Sequence, residues 1–168
     1  ARRGAAPPRP AWLAEGAPDG AIVFADHQSA GRGRSERKWV TNPESAIAVS
    51  IILRLSREEQ EKLQLFSALS GVALALALRE MYGIPAMIKW PNDVLIHNQK
   101  TAGILTEAAW VGERLNGIVV GTGVNLLPAS LPPTDVLQFP ATCIQAHTGI
   151  PVQRFRLLGQ FLRNFFLW

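Results

Sequence analysis

The sequence predicts an α+β fold, in which helices pack on a mixed, mainly antiparallel sheet. Segments with strand character come first along the chain and outnumber the helical segments, a pattern typical of this fold class. Two of these segments flank a short, hairpin-like connection at residues 97–100, which favours antiparallel pairing. The longest helical segment carries a broad apolar face, as expected of a helix that lies on a flat sheet.

Six segments rich in apolar and β-branched residues are predicted to form the strands. They are residues 21–25, 45–55, 86–90, 94–96, 104–109 and 117–124. The segment 86–90 is interpreted as a buried strand. Lys89, near its end, would then need an anionic partner, because burying an unpaired charge is costly.

Three segments are predicted to be helical. Ser56, followed by Glu59, has the pattern of a capping box and opens a helix that runs to Tyr82, where Gly83 fits the left-handed stop. A short helix is expected over residues 141–147. The last helix follows Pro151, and its apolar face is predicted to comprise Phe155, Leu158, Leu162 and Phe165. The first ten residues are expected to lack regular structure.

Length and composition indicate one folded domain over residues 1–168. Apolar residues make up 48% of the chain and charged residues 18%, which excludes a largely disordered protein. The single cysteine, Cys143, excludes an internal disulfide framework and a multi-cysteine zinc site. The longest uncharged helical stretch, residues 63–78, is short for a membrane span, and no secretory signal is visible. We therefore expect a cytoplasmic protein without a membrane partner.

A basic, glycine-containing loop follows the first predicted strand. Four cationic side chains lie close together in this loop: Arg32, Arg34, Arg37 and Lys38. Guanidinium groups suit phosphates and carboxylates, and Gly31 and Gly33 let the backbone approach a ligand. The net charge of +4 points the same way. A solvated basic loop and an RNA-binding segment are alternatives. A dinucleotide-binding loop is excluded, because Glu36 stands where its third glycine would be.

Three further motifs are each ambiguous when considered alone. Residues 89–93, KWPND, would be a turn with a lysine whose amine reaches solvent. Residues 100–105, KTAGIL, and 121–125, GTGVN, contain glycines within predicted strands. Such glycines mark either β-bulges or a close approach of the backbone to a ligand.

Taken together and in order, these motifs resemble the catalytic domain of biotin protein ligase. The pattern AxxQxAGRGRxxRKW is followed by KWPND, KTAGIL and GTGVNL, and the resemblance covers about Leu13 to Leu126. It implies the biotin protein ligase catalytic-domain type of α+β fold. It also implies an enzyme, a biotin–acetyl-CoA-carboxylase ligase that requires ATP, biotin and Mg²⁺. Biotin would be activated as biotinyl-5′-AMP and transferred to a lysine of a biotin carboxyl carrier protein, of acetyl-CoA carboxylase or a related carboxylase.

The resemblance also implies roles for individual residues. Lys89 and Arg34 would be catalytic, with Lys89 bridging the biotin carboxylate and the α-phosphate. Asp93 would orient or deprotonate the incoming lysine, or act only as a turn residue. No residue is assigned to a metal. The residues implied to bind substrate or nucleotide are Gln28, Gly31, Arg32, Gly33, Arg34, Arg37, Trp39, Asn92, Lys100, Gly103, Gly121 and Asn125.

The sequence departs from the family pattern at two places, which keeps alternatives open. Glu36 stands where the family usually has glycine, and residues 4–6, Gly-Ala-Ala, stand where a Ser-Thr-Asn segment is expected. A catalytically weakened remnant that binds biotin or nucleotide is therefore one alternative, and a lipoate or octanoyl transferase relative is another. We expect no C-terminal β-barrel, no nucleic-acid partner and a homodimer.

Overall fold

The computed structural model describes residues 9–28, 30–34, 39, 42–133 and 139–167. It contains a six-stranded sheet in which every neighbouring pair is antiparallel. The strands are β1 (Ile22–Ala25), β2 (Ala46–Leu53), β3 (Met87–Lys89), β4 (Asp93–Ile96), β5 (Gln99–Val111) and β6 (Arg114–Asn125). Their order across the sheet is β1-β2-β6-β5-β4-β3. The predicted α+β class with a mainly antiparallel sheet is thus confirmed.

Four α-helices accompany the sheet in the described residues. They are α1 (Arg9–Ala14), α2 (Arg57–Gln60), α3 (Leu65–Tyr82) and α4 (Arg154–Phe166). Two short 3-10 helices, Pro128–Ser130 and Ile144–His147, lie in the connection between β6 and α4. The predicted capping box at Ser56 and Glu59 is present and opens α2. The hydrogen bonds from Ser56 hold the pKa of Glu59 below its usual value.

The main hydrophobic core lies between one face of the sheet and helices α3 and α4. Strand residues such as Ile51, Ile104 and Ile118 meet Leu74 of α3 and Phe161 of α4 there. By length and composition alone, α3 could also cross a membrane. Its buried apolar residues Ala73, Leu74, Ala77 and Leu78 belong to this core.

The structure corrects several predicted element boundaries. The helix expected from residue 57 to Tyr82 is two helices, α2 and α3, separated by a turn at residues 61–64. Strand β5 begins at Gln99 and β6 at Arg114, so both are longer than expected and their connection is tighter. Residues 9 and 10 are helical in α1, whereas the rest of the segment expected to be irregular lies outside the described residues.

Two predictions about burial were wrong. β3 is an edge strand of the sheet, and all three of its residues are exposed, so Lys89 does not end a buried strand. α4 buries Leu157, Phe161 and Phe165, while Phe155 is 67% exposed. The apolar residues of α4 form more than one helical stripe, and the stripe beginning at residue 157 faces α3 and the sheet.

Candidate functional site

A row of cross-strand neighbours runs across all six strands on the face of the sheet opposite α3. The row comprises Ala25, Ala48, Gly123, Gly103, Asp93 and Lys89, in that spatial order. Side chains alternate between the two faces of a strand. Thr106 and Thr122 bond to serines of α3, so Gly103 and Gly123 face away from that helix. We call these six positions the small-residue row: four small residues followed by an acid and a base.

Trp39 lies on the glycines of the small-residue row. A Cβ atom added to Gly123 would collide with the indole ring, and one added to Gly103 would lie 3.3 Å from it. The Trp39 backbone is fixed by its N–H, which donates to the Gly31 carbonyl at 2.9 Å, and Gly31 has no room for a Cβ there. The indole N–H is buried and has no hydrogen-bond partner among the residues that the structure describes. Because a buried unpaired donor is costly, this N–H can gain from a ligand that accepts a hydrogen bond.

The acid of the row is neutralised by a neighbouring lysine. Lys100 Nζ lies 2.6 Å from Asp93 Oδ1, and both side chains are mostly buried. The backbone of Lys100 is held by the following connection, since its N–H donates to the Pro140 carbonyl and its carbonyl accepts from the Thr142 N–H. Two of the predicted site residues, Asp93 and Lys100, therefore form one ion pair next to Trp39.

The base of the row has a different neighbour. Lys89 Nζ lies 3.7 Å from the centroid of the Phe139 ring. Within the described part of the chain, Lys89 forms no ion pair, since the adjacent Asp93 is taken by Lys100. No described carboxylate therefore binds the predicted catalytic amine at this edge of the row.

Two of the predicted arginines of the basic loop, Arg32 and Arg34, reach the same side of the sheet. Arg34 Nη1 donates to Asn92 Oδ1 at 3.2 Å, which brings the loop against the turn that follows Lys89. Asn92 is itself bonded to the backbone of Ile104 in both directions, through its side-chain amide and its carbonyl. Arg32 Nη2 forms an ion pair with Glu107 Oε1 at 2.9 Å. The structure therefore brings Arg32, Arg34, Asn92 and Lys89 to one side of the sheet.

The remaining predicted residues are less closely gathered. Asn125 is buried, and its amide donates to the Thr142 carbonyl, so it also supports the connection after β6. Gly121 lies in the next row, opposite Ser50 and Leu105. Gln28 and Gly33 lie in the described part of the loop, and the side-chain Oε1 of Gln28 is 3.3 Å from where a Cβ atom on Gly31 would lie. Arg37 and Glu36, like residues 4–6, lie outside the described residues.

Comparison with known proteins assigns the chain to a family. The model of the biotin/lipoate A/B protein ligase family matches residues 11–125. The chain belongs to this family. It is 37% identical over 151 residues to the bifunctional ligase/repressor BirA of Bacillus subtilis, covering 89% of this chain and 46% of that relative. It is 38% identical over 165 residues to the biotin–acetyl-CoA-carboxylase ligase of Paracoccus denitrificans, covering 93% and 65% respectively.

A solved structure shows the same similarity in three dimensions. The biotin protein ligase of Aquifex aeolicus in complex with biotin and ATP superposes with a TM-score of 0.76 at 30% identity. The match covers 89% of this chain and 60% of that one. This ligase-family chain thus spans about half to two thirds of the length of the relatives it matches. The predicted resemblance and its fold type are confirmed.

The sequence reasoning missed two residues of this ligase-family site. Gly123 was grouped with Gly121 in GTGVN, but only Gly121 was assigned, although residues two apart on a strand share a face. That alternation was a usable signal. Phe139 gave no signal, because a phenylalanine in a proline-rich connection carries no periodic pattern. Its contact with Lys89 exists only in three dimensions.

The contact between Trp39 and Gly123 gives a first testable prediction. Gly123→Ala is expected to push the indole off the sheet, so that the emission of Trp39 shifts to longer wavelength as the ring meets water. The shift is isolated by comparing each spectrum with that of the same protein carrying Trp39→Phe. Gly159→Ala is the matched control, because a Cβ at Gly159 meets nothing within 4 Å. An unshifted Trp39 spectrum in Gly123→Ala would contradict the packing.

A histidine pair beside the site gives a second prediction. The rings of His97 and His147 are 5.3 Å apart, and His147 Nε2 is 2.7 Å from the Thr142 hydroxyl. Burial, and then the charge of His97, lower the pKa of His147 from 6.5. The unfolded chain then binds the proton more readily than the folded one. The free energy of unfolding is therefore expected to fall as the pH drops below 6.5, until the folded group is protonated too.

The replacement His147→Gln is expected to make that part of the pH dependence disappear. Urea unfolding between about pH 8 and pH 5 measures it as a change in the slope of stability against pH. Identical slopes in the parent and the variant would show that His147 titrates alike in the folded and unfolded states.

Proposed function

We propose that this chain is the catalytic domain of a biotin–protein ligase. It would use ATP to convert biotin into biotinyl-5′-AMP, and then transfer the biotinyl group to one lysine of a biotin carboxyl carrier protein of acetyl-CoA carboxylase or a related carboxylase. The observation that carries the proposal is the position of Lys89. Its amine forms no ion pair within the described ranges, and it lies beside the turn that Arg34 contacts, at the edge of the small-residue row.

The first step needs a cation of this kind. A carboxylate oxygen of biotin attacks the α-phosphorus, a carbon–oxygen–phosphorus anhydride forms, and the bond to the β-phosphate breaks to release pyrophosphate. Two unit charges at 4 Å repel by about 4 kcal/mol at an effective dielectric of 20. Lys89 between the carboxylate and the α-phosphate would offset this repulsion and stabilise the charge that shifts during attack.

The other residues would support the site, bind the phosphates and cover the reactive intermediate. Asp93 neutralises Lys100, so this pair adds little net charge, and we propose that it holds the turn and the neighbouring strand in register. Arg32 and Arg34 would exchange their present partners, Glu107 and Asn92, for phosphate oxygens. Trp39 would cover the reactive anhydride and donate its unpaired N–H to the ligand.

Magnesium would enter as the complex with ATP. Among the described residues there is no cluster of three or more metal-ligating side chains. Mg²⁺ commonly keeps several waters and binds substrate phosphates rather than an all-protein cage. We therefore propose that triphosphate oxygens hold the ion, where it would neutralise the leaving pyrophosphate.

In the second step the carrier lysine must lose a proton before it attacks the acyl carbon and AMP leaves. Asp93 is the nearest carboxylate to Lys89 along the row, but its charge is already engaged by Lys100. An orienting role therefore fits Asp93 better than that of a free base. A cytoplasmic location and a homodimer complete the proposal, and sedimentation of the purified chain tests the dimer.

Mass spectrometry after incubation with biotin and Mg-ATP tests the proposed function. The mass of biotinyl-5′-AMP is expected, and transfer to a purified carrier protein should follow. Thermal shifts with biotin or lipoate, each with ATP, identify the acid, since only a ligand of the folded state raises the midpoint. Stabilisation by biotin without any adenylate would support a non-catalytic remnant. Stabilisation and adenylate formation with lipoate alone would support the transferase relative.

A further inference from the structure

A connected set of contacts, which we call the circuit, links Lys89 through Asp93, Lys100 and Pro140 to Phe139, whose ring contacts the Lys89 amine. Lys89 is paired with Asp93 across the hairpin, and the carboxylate of Asp93 binds Lys100. The backbone N–H of Lys100 donates to the Pro140 carbonyl at 2.7 Å, and the preceding residue, Phe139, places its ring against the Lys89 amine. Each element of the circuit therefore fixes the next one.

The backbone beside Phe139 is anchored independently of its side chain. Ala141 forms a bridge with Lys100, and the Thr142 N–H donates to the Lys100 carbonyl at 2.9 Å. These bonds tie the connection after β6 to the start of β5. The ring of Phe139 is half-buried and is held next to the edge strand β3.

The choice of partner for Lys89 matters for its charge. Lys89 lies on an exposed edge strand, where a long side chain would otherwise sample many rotamers. A carboxylate partner would restrain the amine but also neutralise it, and an incoming anion would have to displace that partner. The π face of an aromatic ring attracts an ammonium group without carrying a net charge. It therefore restrains the amine and leaves its charge available to an anion.

We propose that Phe139 is a positioning residue for Lys89, which holds the amine in place for the reacting carboxylate and phosphate. This inference rests on the proposed ligase function. Phe139 acts through Lys89 and need not touch either substrate. The ion pair of Asp93 with Lys100 contributes as well, because it keeps the carboxylate directly across the hairpin from binding Lys89.

The test compares Phe139→Leu with Phe139→Tyr. Leucine keeps an apolar side chain and loses the π face, whereas tyrosine keeps it. Phe139→Leu is expected to lower kcat for biotinyl-5′-AMP formation about threefold to tenfold, with KM for ATP unchanged, and Phe139→Tyr should retain the parental rate. Phe155→Leu, at an exposed phenylalanine of α4, is the matched control and is expected to leave kcat unchanged.

A second readout requires no turnover. The chain's lysines are Lys38, Lys62, Lys89 and Lys100, so NMR spectra of the ¹³C-dimethylated protein are simple, and Lys89→Arg assigns the Lys89 signal. Ring current from Phe139 should shift this signal upfield in the parent and in Phe139→Tyr. In Phe139→Leu it should move to the position of the exposed Lys62. A purely structural role for Phe139 would not move this one signal selectively.

Each result decides between contact, positioning and ligand binding. An unmoved Lys89 signal in Phe139→Leu would overturn the contact. A moved signal with unchanged kcat would overturn the positioning role. A change confined to KM for ATP would also overturn it, and would indicate that Phe139 contacts the nucleotide instead. If the parent forms no adenylate while the signal still moves, the proposed function fails and the positioning role fails with it, but the contact itself remains established.

Discussion

Replacing Lys89 with alanine is expected to slow biotinyl-5′-AMP formation by about 10²-fold to 10³-fold, the usual cost of removing a group that stabilises transition-state charge. The reason is that no cation in the described part of the site is free to take its place. Lys100, the nearest lysine in the described structure, is bound to Asp93. Arg34 lies beyond the turn and contacts Asn92. Neither can reach between a carboxylate and an α-phosphate without first breaking its own contact.

Single-turnover formation of the adenylate, followed by mass spectrometry, measures this effect directly. Lys62→Ala is the matched control, because Lys62 is an exposed lysine in the turn between α2 and α3. Lys89 is exposed on an edge strand, so the substitution should change the free energy of unfolding by less than about 0.5 kcal/mol. A folded Lys89→Ala protein that forms adenylate at the parental rate would remove Lys89 from the mechanism.

The sheet could be predicted from the sequence because its strands bury apolar residues in a local pattern. Residues 45–55 carry an apolar, β-branched run that β2 realises almost completely. The break between α2 and α3 could not be predicted in the same way. Residues 61–64 contain ordinary helix formers, so only the packing of α3 on the sheet decides where the long helix begins.

The sequence predicts that several of the candidate site residues lie near one another, but not which of them pair. The motifs place Lys89, Asp93 and Lys100 near one another because three consecutive antiparallel strands, β3, β4 and β5, carry them. No local signal says which lysine takes the carboxylate. Lys89 lies four residues before Asp93 and Lys100 seven residues after it, yet Lys100 forms the ion pair. The pairing of Lys100 with Asp93, and the aromatic neighbour of Lys89, depend on a connection whose sequence has no regular period.

Replacing Phe161 with alanine is expected to cost about 3–5 kcal/mol in the free energy of unfolding, as for other fully buried phenylalanines. Phe161 is 1% exposed and belongs to the same core cluster as residues of α3 and the sheet. Domains of this kind are stable by only about 5–15 kcal/mol. The variant should therefore unfold at a much lower urea concentration. The far-ultraviolet circular dichroism signal during urea titration measures the shift.

Phe155→Ala on the same helix is the control, and it is expected to cost less than about 1 kcal/mol. Phe155 is 67% exposed, although its ring contacts Phe24. Equal losses of unfolding free energy in Phe161→Ala and Phe155→Ala would mean that Phe161 is not packed in the core as described. The contrast matters for the site, because α4 lies beyond residue 125, where the family match ends. If Phe161→Ala loosens the sheet that carries the small-residue row, substrate binding and stability should fail together as urea is added.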